Sequence, residues 1–109
     1  MDELNQDGTV AARLEQLSEE SGCPVFKITG ELDVSNVGSI RSAIEATVGR
    51  GIDRIVFDLS ALDFMDSSGL AMLLAMTGRA GRVEIRDPQP LIRRVIELTG
   101  LSGTFVVTP

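Results

Sequence analysis

Asp66-Ser67-Ser68-Gly69 sets two adjacent hydroxyls between a carboxylate and a glycine. What they can do is limited by what the chain lacks. None of its 109 residues is a histidine. That removes the commonest general base, the Ser-His-Asp arrangement and the histidine-rich zinc sites. A serine with no base beside it is a weak nucleophile, but it can still be a substrate that accepts a phosphoryl group from a visiting enzyme.

The elements around the two serines decide which hydroxyl is presented. Upstream, Ile52 to Leu59 contains Ile-Val-Phe, a run suited to an interior strand covered on both faces. Ala61 to Asp66 carries the chain across to Ser67, and Leu70, Leu73, Leu74 and Thr77 then keep a helical spacing. Ser67 and Ser68 therefore fall in the first turn of a helix, where unpaired N–H groups and a partial positive charge favour an anion. A phosphate on Ser68 need not melt the fold there. The simpler reading is that Asp66 or Ser67 only caps the helix.

The remaining segments supply a frame. A strand is expected over Ala12 to Leu17, a turn at Ser18-Glu19-Glu20-Ser21-Gly22, and a second strand over Pro24 to Leu32 with a two-residue period. Val37, Ile40, Ile44 and Val48 mark an amphipathic helix with Asp33 or Ser35 as its N-cap. Gly78 and Gly81 suggest an early stop to the helix after Ser68, and Val83 and Ile85 give a short strand. Pro88 and Pro90 open a last helix with an apolar stripe of Leu91, Ile92, Val95, Ile96, Leu98 and Thr99, stopped at Gly100 before a final strand at Phe105-Val106-Val107. The order β-β-α-β-α-β-α-β predicts an α/β fold, a mainly parallel sheet with an N-terminal hairpin and helices packed against it. It forms one domain over residues 1–109, with 1–9 loosely held. In such sheets, sites form beyond the carboxyl ends of the strands.

Composition excludes several functions. Sixteen acidic residues face ten basic ones, a net charge of −6, and the only aromatics are four Phe. This surface repels a phosphate backbone and offers few stacking platforms, so no nucleic-acid partner is expected. The longest uncharged apolar stretch, Gly69 to Met76, is far too short to cross a bilayer. Cys23 is the single cysteine, which suits a reducing cytoplasm. No cofactor or metal set is visible.

Other candidates each have a bland alternative. Phe64, Met65, Met72 and Met76 could form an adaptable docking surface or simply pack the core. Arg93 and Arg94 could grip a phosphate or keep a helix face solvated. Gly49-Arg50-Gly51 and Gly78-Arg79-Ala80-Gly81-Arg82 are glycine–arginine loops without the spacing of a phosphate-cradling fingerprint.

Three stretches together resemble the STAS domain family, in particular its stand-alone bacterial anti-sigma factor antagonists, over residues 10 to 107. They are Gly30-Glu31-Leu32-Asp33, then Val56-Phe57-Asp58-Leu59 running into Phe64-Met65-Asp66-Ser67-Ser68-Gly69-Leu70, and Ile92 to Leu101 ending in Leu98-Thr99-Gly100-Leu101. The resemblance implies a partner-switching protein that is not an enzyme. Unphosphorylated, it would bind an anti-sigma factor that is also a serine kinase; phosphorylation of Ser68 would release it, and a serine phosphatase of the PP2C type would reset it. It also places Asp33 near the serine, in a docking surface of Asp33, Phe64, Met65, Asp66, Ser67, Ser68, Gly69 and Met72. Between Leu70 and Val83 the chain is several residues shorter than the family pattern. Two other functions compete: a STAS-type subunit that steadies a transport or sensory complex without phosphorylation, and a small nucleotide-binding domain.

Overall fold

In the computed structural model, which describes residues 11–20, 22–100 and 103–109, the chain alternates strands and helices much as its periodicity requires. The elements are β1 (Arg13–Glu20), β2 (Cys23–Leu32), α1 (Val37–Thr47), β3 (Ile52–Asp58), β4 (Leu62–Met65), α2 (Ser67–Met76), β5 (Ala80–Arg86), α3 (Pro90–Leu98) and β6 (Val106–Thr108). β1 and β2 form an antiparallel hairpin, and β2, β3, β5 and β6 run parallel in the sheet order β1-β2-β3-β5-β6.

Each crossover steps across the sheet in the same direction, so the right-handed rule puts all three helices on one face. Burial agrees. Ile40 and Ile44 of α1, Leu70, Leu73 and Met76 of α2, and Ile92 and Ile96 of α3 share one core with Phe26, Ile28, Ile55, Phe57 and Ile85 from the sheet. Phe26 and Phe57 stack at its centre, with ring centroids 6.0 Å apart. Cys23, Val25 and Val56 form a separate small cluster with Leu17. Val25 and Val56 are register partners, adjacent in sequence to the stacked Phe26 and Phe57, so strand alternation turns them to the opposite face.

The element order departs from the sequence reading in one place. Ala61 to Asp66 is not only a connection: Leu62–Met65 is a short strand, β4, parallel to the end of β2, with Leu32 opposite Met65. Leu62 and Met65 are buried and the two residues between them exposed, a pattern too short to show a period. Smaller differences have similar causes. β1 continues to Glu20, past the expected turn at Ser18 to Gly22, because an edge strand tolerates polar residues; Gly22, with φ 78°, lies in the reversal and Ser21 lies outside the described residues. α1 is entered through Asn36, not capped by Asp33 or Ser35. α3 buries Ile92 and Ile96 but leaves Leu91 and Leu98 more than half exposed, so the expected stripe is narrower than predicted. Gly100 adopts φ 74°, the left-handed conformation expected after the last helix. The expectation for residues 1–9 falls outside the described residues.

On the helical face, Glu45 accepts from Arg41 Nε at 2.8 Å and from Arg79 Nε at 3.4 Å, tying α1 to the loop after α2. The Arg41 hydrogen bond, followed by the charge of Arg79, holds the Glu45 carboxyl below the usual glutamate range. A lowered folded-state pKa means a contribution that is present above the ordinary glutamate value and fades as pH falls through the lowered one. Acid unfolding curves of the parent and Glu45→Gln are therefore expected to differ near neutrality and to converge in strong acid. The difference is small, because the carboxylate is solvated.

Candidate functional site

The Ser68 region is built where β2 and β4 end together. Asp66 N–H donates to Leu32 O at 3.2 Å, which pins the start of α2 to the end of β2. Asp66 is the N-cap in extended conformation, and its Oδ1 accepts from Ser68 N at 2.8 Å and Gly69 N at 3.3 Å. The capping role anticipated for Asp66 or Ser67 thus belongs to Asp66. Ser67 and Ser68 open the helix, Ser67 exposed and Ser68 half-buried. No buried side-chain polar atom among the described residues lacks a hydrogen-bond partner. The Ser68 hydroxyl has no such partner among the described residues, so it is not fully buried and solvent reaches it.

Gly69 fixes how deeply that turn sits. A Cβ there would lie 2.5 Å from Met65 Cγ and 3.0 Å from Leu32 Cδ2, so only a glycine lets the turn press onto the strand ends. Gly69→Ala is expected to cost about 1–3 kcal/mol through overpacking and to slow phosphoryl transfer to Ser68. Chemical denaturation and a labelling time course measure the two effects.

Asp33 leaves β2 immediately after Leu32, the register partner of Met65, so Asp33 and Asp66 follow paired residues on neighbouring strands. The Asp33 carboxylate accepts from Ser35 N at 2.9 Å and from the Ser35 hydroxyl. Asn36 clamps this loop: its Oδ1 accepts from Asp33 N at 3.1 Å and its Nδ2 donates to Glu31 O at 2.8 Å. Gln89, just before α3, donates from Nε2 to Leu62 O at 3.0 Å and to Asp63 Oδ1 at 3.1 Å, tying β4 to the third helix. The sequence reading singled out neither Asn36 nor Gln89, and their partners are mostly backbone carbonyls and amides that carry no sequence signal.

The eight candidate docking residues divide in two. Asp33, Phe64, Asp66, Ser67 and Ser68 form a rim that solvent reaches, with Phe64 42% exposed. Met65, Gly69 and Met72 are buried: Met65 and Met72 belong to the core, and Gly69 serves close packing. A docking role for the Met65 or Met72 side chain is therefore corrected to a packing role. Val34, 75% exposed beside Asp33, is an apolar rim residue that sequence reasoning missed, since a lone valine in a loop has no periodicity to mark it. The rim is thus acidic, with Asp33, Asp63 and Asp66 around two exposed apolar side chains, Val34 and Phe64. Among the described residues no group of His, Cys, Asp or Glu could hold a metal ion, and no helix is long and apolar enough to cross a membrane.

The family model described as "Mlab, STAS domain" matches residues 15–108. The chain is 35% identical over 95 residues to the anti-sigma F factor antagonist of Lysinibacillus sphaericus, covering 83% of this chain and 80% of that protein. Its fold is similar to the crystal structure of an anti-sigma factor antagonist from Mycobacterium paratuberculosis, with a TM-score of 0.81 and 30% identity over 97% of this chain and 90% of that one. It is also similar to the anti-sigma factor antagonist SpoIIAA in its unphosphorylated form, with a TM-score of 0.71 and 29% identity over 91% and 89% of the two chains. For the phosphorylated form of the Bacillus cell fate determinant SpoIIAA, the TM-score is 0.67 and the identity 26%, over 89% and 91%.

Proposed function

Because this chain belongs to the STAS domain family, we propose that it is an anti-sigma factor antagonist whose partner binding is switched by phosphorylation of Ser68. One observation carries the reading: solvent reaches the Ser68 hydroxyl of a half-buried residue at a helix start, inside a rim that is both acidic and apolar. The proposed partner is an anti-sigma factor that is also a serine kinase. Unmodified, the rim docks on it, with Phe64 and Val34 supplying apolar contact and Asp33 and Asp66 orienting charge. The kinase then phosphorylates Ser68, and a PP2C-type phosphatase restores the hydroxyl. The chain acts here as substrate and antagonist.

Release follows from electrostatics at close quarters. Phosphate adds about −1.5 to −2 charges. The Ser68 and Gly69 amides that would welcome it already bond Asp66 Oδ1, so the new charge meets a carboxylate where a bare helix end would have offered it stabilisation. Desolvating an unpaired charge at an interface costs about 2–5 kcal/mol, and each ~1.4 kcal/mol is tenfold in affinity. Release by tens to thousands of fold follows without a change of fold.

Calorimetry of the unmodified and singly phosphorylated chain against a serine-kinase anti-sigma factor from the same cell tests this. The unmodified form should bind and the phosphorylated form should not; equal affinities would refute the switch. Intact-mass analysis of the protein from growing and stressed cells separates it from a STAS subunit that steadies a transport or sensory complex, which would carry no phosphate.

A further inference from the structure

At the opposite pole from Ser68, the two glycine–arginine loops meet. Gly51 N–H donates to Arg79 O at 3.0 Å, joining the loop before β3 to the loop before β5. Beside this junction lies a concavity of about 360 Å³ lined by Gly22, Gly51, Asp53, Arg54 and Arg82 among others, and ligand pockets generally begin at about 300 Å³.

Its charge is out of balance. Arg54 and Arg82 are register partners on adjacent parallel strands, so both side chains stand on one face. Like charges paired across strands repel. Gly81 eases the close approach of the two strands: a Cβ there would lie 3.0 Å from Asp53 O, a contact tighter than most side chains make. Glu84 is the one carboxylate serving this group among the described residues. Its Oε1 accepts from Arg54 Nε and Nη2, both at 3.1 Å, and its Oε2 faces Arg86 Nη2 at 3.5 Å. Arg82 has no ion pair among the described residues. Arg54 is thus paired while Arg82 adds a positive charge to the lining, in a chain whose net charge is −6. Asp53, the acidic residue of the lining, lies opposite Gly81, and strand alternation turns its side chain away from the Arg54 face. Arg54 is held in place by Glu84 and Arg82 is free, which gives one preorganised and one adaptable donor set for a tetrahedral oxyanion.

We propose that this pocket binds the phosphate group of a small phosphorylated molecule, independently of Ser68. The ten residues of β2, at about 3.3 Å each, separate the two sites by roughly 30 Å, so the two can be occupied together. The test is an amide-shift NMR titration with inorganic phosphate and with pyrophosphate. The amides of Gly22, Gly51, Arg54 and Arg82 should shift along one saturating curve. Arg82 is exposed, so Arg82→Gln keeps the fold, and it should weaken binding by about tenfold or more, the loss of a charge-assisted contact. Ser68→Ala should bind unchanged. Tighter binding of pyrophosphate than of phosphate identifies a diphosphate-bearing ligand, and equal binding a single phosphate. Shifts that do not saturate, that centre on Asp66 to Gly69, or that persist undiminished in Arg82→Gln would overturn the proposal.

Discussion

Ser68→Asp is expected to bind the anti-sigma factor at least tenfold more weakly than the unmodified chain, while Ser68→Ala binds as well as the parent and takes up no phosphate. The two variants differ by one carboxylate at a single position. In the aspartate variant that carboxylate sits one residue beyond the Ser67 that follows the cap, beside an Asp66 whose Oδ1 already satisfies the Ser68 and Gly69 amides. With those donors engaged, the added charge must be desolvated on docking with little compensation, at about 2–5 kcal/mol. Aspartate carries less charge than phosphate, so its effect belongs at the lower end of that range. Neither variant should lose much fold stability, since the half-buried Ser68 side chain makes no hydrogen bond among the described residues that either change would break. Titration calorimetry and ATP-dependent labelling measure both outcomes. Label persisting in Ser68→Ala, or parental affinity in Ser68→Asp, would remove Ser68 from the mechanism.

Gly30→Ala is expected to be the most damaging of the single-methyl changes, by about 2–5 kcal/mol when backbone strain and overpacking are added. Gly30 sits at φ 91°, where an L side chain is strained, and a Cβ would run into the backbone carbonyl of Ala11 at the entry to β1. Its own N–H donates to Ala61 O at 3.2 Å, and the register of β2 against β4 shifts between Gly30 and Glu31. The residue therefore holds three segments at once. For a domain near this size about 1 kcal/mol moves Tm by 4–8 °C, so thermal unfolding should register a fall of roughly 10 °C or more. Gly38→Ala is the internal control: nothing lies within 4 Å of a Cβ in α1 there, and the change should be neutral or slightly stabilising. A Gly30→Ala variant that melts with the parent would contradict the proposed strain.

Much of this arrangement was legible from local chemistry. Asp66 before two serines and a glycine announces a cap and a first turn, and both stand as read, because capping depends on residues two or three apart. The strand at Ile52 and the helix opened by Pro90 carry enough repeats to declare their period. β4 escapes because four residues hold a single burial cycle. The widths of helix faces escape as well: periodicity says that Leu91 and Leu98 lie near Ile92 and Ile96, but not where the supporting sheet ends, and both prove exposed. Met72 was ambiguous for a chemical reason, since a flexible thioether suits a core and a docking surface equally; its burial resolves it. Gln89 acts on Leu62 and Asp63, which come within reach only after the strands have paired, whereas Asn36 bonds backbone groups three and five residues away that carry no side-chain signal. The two glycine–arginine loops were each visible, whereas their meeting through Gly51 and Arg79 is a property of the sheet order.

The Asp66 cap also sets how the signal fares in different media. With the helix amides already committed to a side chain of the protein, the added phosphate acts mostly through the field it projects from the rim. At about 0.15 M ionic strength such fields fade within roughly 8 Å. A partner that keeps a film of water between itself and the rim would hear the message faintly and lose it in brine, while one that presses Phe64 and Val34 dry would read it at any salinity.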